Sequence, residues 1–80
     1  MLELKPMGNN KTLLICNGMK VLFSYKTPVA CEIGLTYYRT KHKFSKTTTK
    51  HINQWLDGVK AEEKEQEFFH ALVMRFNLGE

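Results

Sequence analysis

The stretch that decides the fold is KTLLICNGMKVLFSY, residues 11–25, in which Asn17-Gly18 separates two apolar segments. Asparagine and glycine tolerate the positive φ of a type I′ turn, the turn that best joins two antiparallel strands. We therefore predict a tight hairpin in which Cys16 faces Met19. Because side chains alternate with a period of two, the core-facing side should carry Leu14, Cys16, Met19, Val21 and Phe23. The opposite side is too apolar to be fully solvated, so we expect a helix or a partner to cover part of it.

Further strands are expected after the hairpin. Pro28 cannot donate to a ladder, so a third strand should begin just after it, over residues 29–33, before Gly34 turns the chain. The Thr and Tyr content of residues 35–40 is typical of a fourth strand, with one tyrosine packed inward and one facing out. Residues 41–46 should continue this strand or form a fifth. The sequence thus predicts a short antiparallel β-meander of three to five strands over about residues 11–46.

The hydrophobic period changes after the meander to one that is typical of helices. Apolar residues recur at three- and four-residue steps, namely Ile52, Trp55, Leu56 and Val59. With threonines 47–49 as N-cap candidates and Gly58 as a terminator, a helix is predicted over about residues 49–57, with Trp55 as a core anchor. Glutamates at its start and Arg75 at its end favour a second helix over about residues 60–76. The fold class predicted is α+β, a meander followed by two helices, in a single domain of residues 1–80.

Composition narrows the class of protein. A chain of 80 residues, 42% hydrophobic and 25% charged, is expected to fold around one modest core. Its longest apolar run, residues 13–16, is far shorter than the roughly 20 residues that cross a bilayer, and its first residues lack the pattern of a secretory signal. We therefore expect no membrane association and a cytoplasmic location. Cys16 and Cys31 are expected to be buried free thiols, because they lack the spacing of a metal or redox motif.

The sequence contains no pattern typical of catalysis. Cys16 and Cys31 lie in apolar strand contexts, and no serine lies in a nucleophile-elbow motif. His42, His51 and His70 do not have the spacing of a zinc site. We therefore predict a protein that is not an enzyme, with no catalytic residues, no metal, no cofactor and no small-molecule substrate.

Positive charge is concentrated before the second predicted helix. Residues 1–60 carry a formal charge of +7, and residues 61–80 carry −3. A cluster with no acid among its basic residues forms the candidate nucleic-acid site, namely Tyr38, Arg39, Lys41, Lys43, Lys46 and Lys50. Lysine and arginine side chains neutralise phosphates, and helix N-terminal hydroxyls could contact them. The alternative is that these charges only solvate a hairpin edge and oppose strand aggregation.

The second predicted helix carries more large apolar residues than one short helix needs to pack. The candidate protein interface consists of Phe68, Phe69, Leu72, Val73 and Phe76. A surplus of this kind is typical of a contact surface, so a homodimer or a complex with another protein is predicted through it. The glutamates of residues 62–67 are interpreted as the solvated side of the same helix.

Four segments carry a family resemblance: VLFSY at residues 21–25, TPVA at 27–30, YYRT at 37–40 and SKTTTKHINQWL at 45–56. Their order and spacing resemble those of small uncharacterised proteins encoded by tailed bacteriophages and their bacterial hosts. The resemblance covers about residues 12–56 and implies a phage or mobile-element origin, without assigning a function to any residue.

Two functional hypotheses follow from the sequence. The leading one is a non-enzymatic phage accessory protein that binds a macromolecule, with nucleic acid as the preferred partner. The alternative is a protein-interaction module or homo-oligomer that binds a host protein through an apolar helix or sheet face.

Overall fold

The structure, a computed structural model, describes residues 2–8 and 10–77, with side chains described for residues 3–8 and 10–75. Its elements in chain order are β1 (Leu2–Pro6), β2 (Lys11–Cys16), β3 (Met19–Ser24), β4 (Thr27–Ile33), β5 (Thr36–Thr40), α1 (Lys46–Leu56), β6 (Glu62–Lys64) and α2 (Gln66–Asn77). The strands form one sheet in the order β1-β2-β3-β4-β5-β6, with β6 parallel to β5 and all other pairs antiparallel. The α+β class and the order of meander before helices are confirmed.

The predicted hairpin is present between β2 and β3. Asn17 and Gly18 have φ values of 51° and 79°, and Cys16 lies opposite Met19. Both turn residues therefore occupy the left-handed region that a type I′ turn requires and that these two residue types reach at low cost. Phe23 lies on the predicted side of the hairpin but is half-buried.

A β-bulge in β4 changes which residues face each side of the sheet. Leu22 pairs with Ala30, and Phe23 pairs with Pro28, so Val29 is the extra residue on β4. The bulge lets Val29 and Ala30 contribute to the same buried cluster although they are consecutive. Proline therefore lies inside β4, at an irregular position where the ladder is already interrupted.

Each face of the sheet is covered by one helix. The α1 face of the sheet buries Leu13, Leu22, Val29, Ala30, Ile52 and Leu56. The α2 face buries Leu14, Val21, Cys31, Phe69 and Leu72. The predicted core side is thus the α2 face, and the expectation that a helix covers part of the opposite side is met by α1. Val21 and Leu22 are both fully buried because consecutive strand residues point to opposite, equally covered faces.

The two tyrosines of β5 pack against different helices, because both faces of the sheet are covered. Tyr37 packs edge-on against Trp55 of α1, with ring centroids 5.7 Å apart, and Tyr38 packs against Phe68 of α2 at 5.4 Å. The prediction that one tyrosine faces out is wrong, since both are half-buried beneath helices. Trp55 is half-buried and packs against the α1-face cluster.

The strand count and the bounds of α1 differ from the prediction. Among the described residues the sheet has six strands, not three to five, because β1 and β6 extend it at both edges. Residues 41–45 are not a strand, and α1 begins at Lys46, with Ser45 as its N-cap in place of the threonines. The helix ends at Leu56, and its C-cap is Asp57, next to the predicted terminator Gly58. Asp57 has a φ of 49° and donates its N–H to the carbonyl of Asn53.

The charged segment before α2 is the largest departure from the prediction. Glutamate favours helices, so residues 60–65 were expected to be helical. Instead Glu62–Lys64 forms β6, which pairs with the open edge of β5, and α2 begins at Gln66. The N–H of Lys41 donates to the carbonyl of Lys64 at 2.9 Å and extends this pairing. The backbone hydrogen bonds offered by the β5 edge outweigh the local helical preference.

Neither described helix is long and apolar enough to cross a membrane.

Candidate functional site

A groove with a volume of about 680 Å³ opens along the N-terminal part of α1 and the residues before it. It is lined by Lys43, Phe44, Ser45, Lys46, Thr49, Lys50, Asn53 and Gln54. None of these lining residues is acidic, so the surface of the groove carries only positive formal charge. We call this surface the basic groove.

Helical spacing explains how α1 lines the basic groove. Lys46 and Lys50 are four residues apart and therefore lie on the same side of the helix, about 6 Å apart along its axis. The other side of α1 packs on the sheet through Ile52 and Leu56. Ser45 starts the helix, because its Oγ accepts the N–H of Thr48 at 3.2 Å, and this cap places Lys43 and Phe44 at the mouth of the groove.

The lysines of the basic groove are not neutralised by the described part of the chain. No ion pair involves Lys43, Lys46 or Lys50 among the residues that the structure describes. The first turn of α1 also contains no acidic residue. The positive end of the helix dipole and the ammonium groups therefore add to one another, which favours an anion at this place.

The predicted basic cluster is divided by the fold. Arg39 lies on the α1 face, where Nη1 donates to Asn53 Oδ1 at 3.2 Å, and its neighbour on β6 is Glu63. Lys41 pairs with Glu65 at 3.4 Å. Arg39 and Lys41 therefore lie beside acids of the segment that contains β6, outside the lining of the basic groove.

Tyr38 is separated from the basic groove by the sheet. Its ring packs against Phe68 on the α2 face, and the ammonium of Lys64 lies 5.7 Å from the ring centroid. Of the six residues predicted for nucleic acid, Lys43, Lys46 and Lys50 line the basic groove, and Lys43 also lines a neighbouring depression with Arg39, Lys41 and Glu63.

Sequence reasoning missed the aromatic and amide groups of the basic groove. The Phe44 side chain is 40% exposed and its ring contacts His42, with centroids 4.4 Å apart. Asn53 and Gln54 extend the lining by one helical turn beyond Lys50, and Lys11 donates to Gln54 Oε1 at 3.2 Å. The four-residue and three-residue steps from Lys46 through Lys50 to Asn53 could have indicated the amide positions, whereas nothing local indicated Lys11.

A chain of polar side chains, exposed at Ser45 and buried at Thr48, Ser24 and His51, joins α1 to β3. Ser45 donates to Thr48 Oγ1 at 3.4 Å, Thr48 Oγ1 lies 2.9 Å from Ser24 Oγ, and Ser24 Oγ lies 2.8 Å from His51 Nδ1. Burial lowers the pKa of His51, and the charges of Lys11 and Lys50 lower it further. His51 is therefore held neutral, which matches its role as a buried hydrogen-bond partner.

The contact between Ser24 and His51 resembles part of a hydrolytic site only in its atom types. Ser24 is 2% exposed and His51 is 8% exposed, so a substrate has no access to the serine oxygen. Every buried side-chain polar atom among the described residues has a partner. The polar chain is best explained as a directional link that fixes α1, and with it the basic groove, on the sheet.

Most of the candidate protein interface on α2 packs against the core of the molecule itself. Phe69 is fully buried and Leu72 nearly so, since both form the core of the α2 face. Phe68 and Val73 are half-buried against the same cluster. The side chain of Phe76 lies outside the described residues. A partner could reach Phe68 and Val73 only at the margins of the α2 core.

The metal-binding chemistry of the described residues is limited. Within the described ranges, no three His, Cys, Asp or Glu side chains converge on a common point. Cys16 and Cys31 are free, half-buried and buried respectively. Burial raises the pKa of the Cys31 thiol to about 12, so this sulfur stays protonated and unreactive at neutral pH.

The fold and the groove together define a small α+β domain with two helices on opposite faces of one sheet and a basic surface groove. The chain belongs to a protein family described as a family of unknown function (DUF8033), which it matches over residues 2–71. Comparisons with curated proteins and with solved structures give no match.

Proposed function

We propose that this protein is a non-enzymatic binding protein whose basic groove holds the phosphates of nucleic acid, with a preference for single strands. The observation that carries the proposal is a groove lined by three lysines with no described ion pair, next to an exposed aromatic ring.

Electrostatics supports phosphate as the ligand. Lys43, Lys46 and Lys50 line one surface, and the N-terminus of α1 adds its partial positive charge. Ammonium groups that have no carboxylate partner gain from contact with phosphates, because condensed counterions are released from the nucleic acid. The same lysines contribute little to the stability of the fold, since they are exposed on the surface.

The composition of the groove supports a single strand. Proteins that bind single strands combine a positive groove with aromatic rings on which unpaired bases stack. Phe44 is exposed at the mouth of the groove, and Asn53 and Gln54 add donors and acceptors that could reach a base edge. In a duplex the bases are already stacked on one another, so Phe44 would contribute little there.

The setting implied by the resemblance to proteins of tailed bacteriophages is compatible with this proposal. In that setting the protein would be an accessory protein in the cytoplasm of the host cell, where single-stranded intermediates of replication and transcription occur.

The alternative function is a protein-interaction module. Its support is a shallow depression of about 330 Å³ on α2, lined by Ile33, Phe68, Ala71, Leu72 and Arg75, with Met74 exposed beside it. This depression is smaller than the basic groove, and the large apolar side chains that line it already pack against the core of the molecule. We therefore favour the basic groove as the binding site.

Binding is tested by fluorescence anisotropy with labelled single-stranded DNA, duplex DNA and RNA at two salt concentrations. If three phosphates are neutralised on a single strand, log K should fall with log salt with a slope of about −2. Phe44→Ala should weaken single-strand binding about tenfold, because stacking on one base is lost, and should change duplex binding little.

A matched pair of variants separates the basic groove from net charge. Lys46→Glu with Lys50→Glu should abolish binding near physiological salt. The double variant Lys26→Glu with Lys60→Glu lowers the net charge by the same amount at exposed positions outside the groove lining, and it should keep most of the binding. Equal losses in the two variants would mean nonspecific attraction to a basic protein, and the absence of any binding near physiological salt would exclude the proposal.

A further inference from the structure

Strand β1 leaves one edge of the sheet open. It pairs with β2 on one side, and no described strand lies on its other side. Leu4 in the middle of β1 is 62% exposed, next to a depression that it lines with Thr12, Phe23, Tyr25 and Lys26. An open edge with an exposed leucine is a place where another strand can add to a sheet.

The direction of the free backbone groups follows from the ladder between β1 and β2. Glu3 pairs with Ile15, Lys5 with Leu13, and the N–H of Met7 donates to the carbonyl of Lys11 at 2.9 Å. Because hydrogen-bonded positions alternate in an antiparallel pair, the odd-numbered residues of β1 bond to β2. The N–H and C=O groups of Leu4 therefore point to the open edge.

The charges of β1 are complementary to those of a second β1 running in the opposite direction. If two copies pair about a two-fold axis at Leu4, this residue faces its own counterpart and Glu3 faces Lys5 of the second copy. Both Glu3–Lys5 contacts fall at non-hydrogen-bonded positions, where side chains on neighbouring strands approach most closely. Glu3 and Lys5 are exposed and, among the described residues, form no ion pair.

We propose that the β1 edge binds a second copy of this chain, so that two sheets join into one continuous antiparallel sheet. Leu4 exchanges backbone hydrogen bonds with its counterpart, and their side chains bury each other. The N–H of Leu2 donates to the carbonyl of Pro6 of the second copy. Pro6 has no N–H to return, which keeps the pairing short and the dimer reversible.

This interface is independent of the basic groove and does not use the candidate residues on α2. The contact is smaller than that of most stable dimers, because only one five-residue strand from each copy takes part. We therefore expect a dissociation constant on the order of tens to hundreds of micromolar.

Sedimentation equilibrium from about 10 μM to 1 mM tests the proposal through charge exchange. The unmodified chain should shift from its 9.3 kDa monomer toward a dimer as its concentration rises. Lys5→Glu alone and Glu3→Lys alone should each weaken the dimer about tenfold or more, because like charges then face each other in both contacts. Lys60→Glu, which changes the net charge as Lys5→Glu does at an exposed position away from β1, should leave the dimer unchanged.

Two recovery experiments identify the register. The double variant Glu3→Lys/Lys5→Glu should dimerise as the unmodified chain does, and an equimolar mixture of the two single variants should form a heterodimer. Leu4→Pro removes the exposed leucine side chain and an N–H that points to the open edge, and removes no N–H that bonds to β2, so it should leave the far-ultraviolet circular dichroism unchanged and abolish the dimer. A monomer at all concentrations, or single variants that dimerise as well as the unmodified chain, would overturn the proposal and leave the edge to another occupant.

Discussion

The two faces of the sheet hold their helices in different ways. The α2 face is held by an apolar core, with Phe69 fully buried between α2 and the strands, and by Gln66 at the start of α2. Gln66 Oε1 accepts from Thr40 Oγ1 at 2.6 Å, and Gln66 Nε2 donates to the carbonyl of Pro28 at 2.7 Å. The α1 face has an apolar cluster of similar size and also the polar chain that runs from Ser45 through Thr48 and Ser24 to His51. Apolar contacts are not directional, whereas hydrogen bonds are satisfied only in a narrow geometry. Directional contacts therefore hold α1 along its buried side, from Ser45 to His51, whereas those described for α2 involve its first residue.

The two faces differ in charge as well. The outer side of α1 presents Lys46 and Lys50, whereas the segment of residues 62–67 presents four glutamates at one end of the sheet. Because β6 lies next to β5, Glu63 is the ladder neighbour of Arg39 and Glu65 pairs with Lys41, whereas no described ion pair involves the lysines of the basic groove. A cluster that is continuous in sequence is thus divided into a part that lies beside acids and a part that does not.

The largest effect should come from the α2 face. Phe69→Ala removes a fully buried ring and leaves a cavity that the strands cannot fill, so the free energy of unfolding should fall by about 3–5 kcal/mol. Urea unfolding followed by tryptophan fluorescence measures this change. Phe44→Ala, at an exposed ring, should change stability by less than about 0.5 kcal/mol. A loss below about 1 kcal/mol for Phe69→Ala would mean that α2 is not anchored as described.

The polar chain of the α1 face should be the next most sensitive feature. Ser24→Ala removes the group between Thr48 and His51, leaving His51 Nδ1 without its partner and Thr48 Oγ1 with Ser45 alone, which should cost about 1–3 kcal/mol. The double variant Ser24→Ala/Thr48→Val should lose less than the sum of the two single variants, because the second change also removes an unsatisfied group. Additive losses in urea unfolding would show that Ser24 and Thr48 act separately.

A smaller effect should appear as pH dependence. The pKa of His51 is lowered in the folded state by burial and by the nearby charges of Lys11 and Lys50. The unfolded chain therefore binds a proton first, near its ordinary value of 6.5, and the stabilisation present above that value is lost as the pH falls through the lower folded pKa. Urea unfolding between pH 7.5 and 5 should show this loss. His51→Gln should reduce the slope and His42→Gln should not, and equal slopes in the two variants would contradict the assignment.

The smallest effect on stability should come from the basic groove. Lys46→Glu with Lys50→Glu should leave the free energy of unfolding unchanged or raise it by up to about 0.5 kcal/mol, because acidic residues near a helix N-terminus interact favourably with its dipole. A thermal melt at low salt measures this. A loss above about 1 kcal/mol would show that the lysines serve folding and would weaken the proposed binding role.

The elements that the sequence predicted correctly are those whose signals lie within a few neighbouring residues. The Asn17-Gly18 turn specifies its own hairpin and register, and the three- and four-residue steps from Ile52 to Leu56 specify the buried side of α1. Residues 2–5 alternate leucine with a charged residue, which is a period-two signal for β1, but the predicted meander began at about residue 11. The cap of α1 was misplaced by a few residues because Ser45 and three threonines all have side chains that can cap a helix.

By itself, the sequence determined the α+β class, the central hairpin, the two helices and a basic segment around the start of α1. The tertiary structure alone decided that Glu62–Lys64 pairs with β5, that both faces of the sheet are covered, and that Ser24 meets His51 across 27 positions of chain. It also decided which lysines share a groove and which lie beside glutamates. Turns and helical faces depend on neighbours a few residues apart, whereas strand pairing, burial and charge environment depend on segments that only the folded chain brings together.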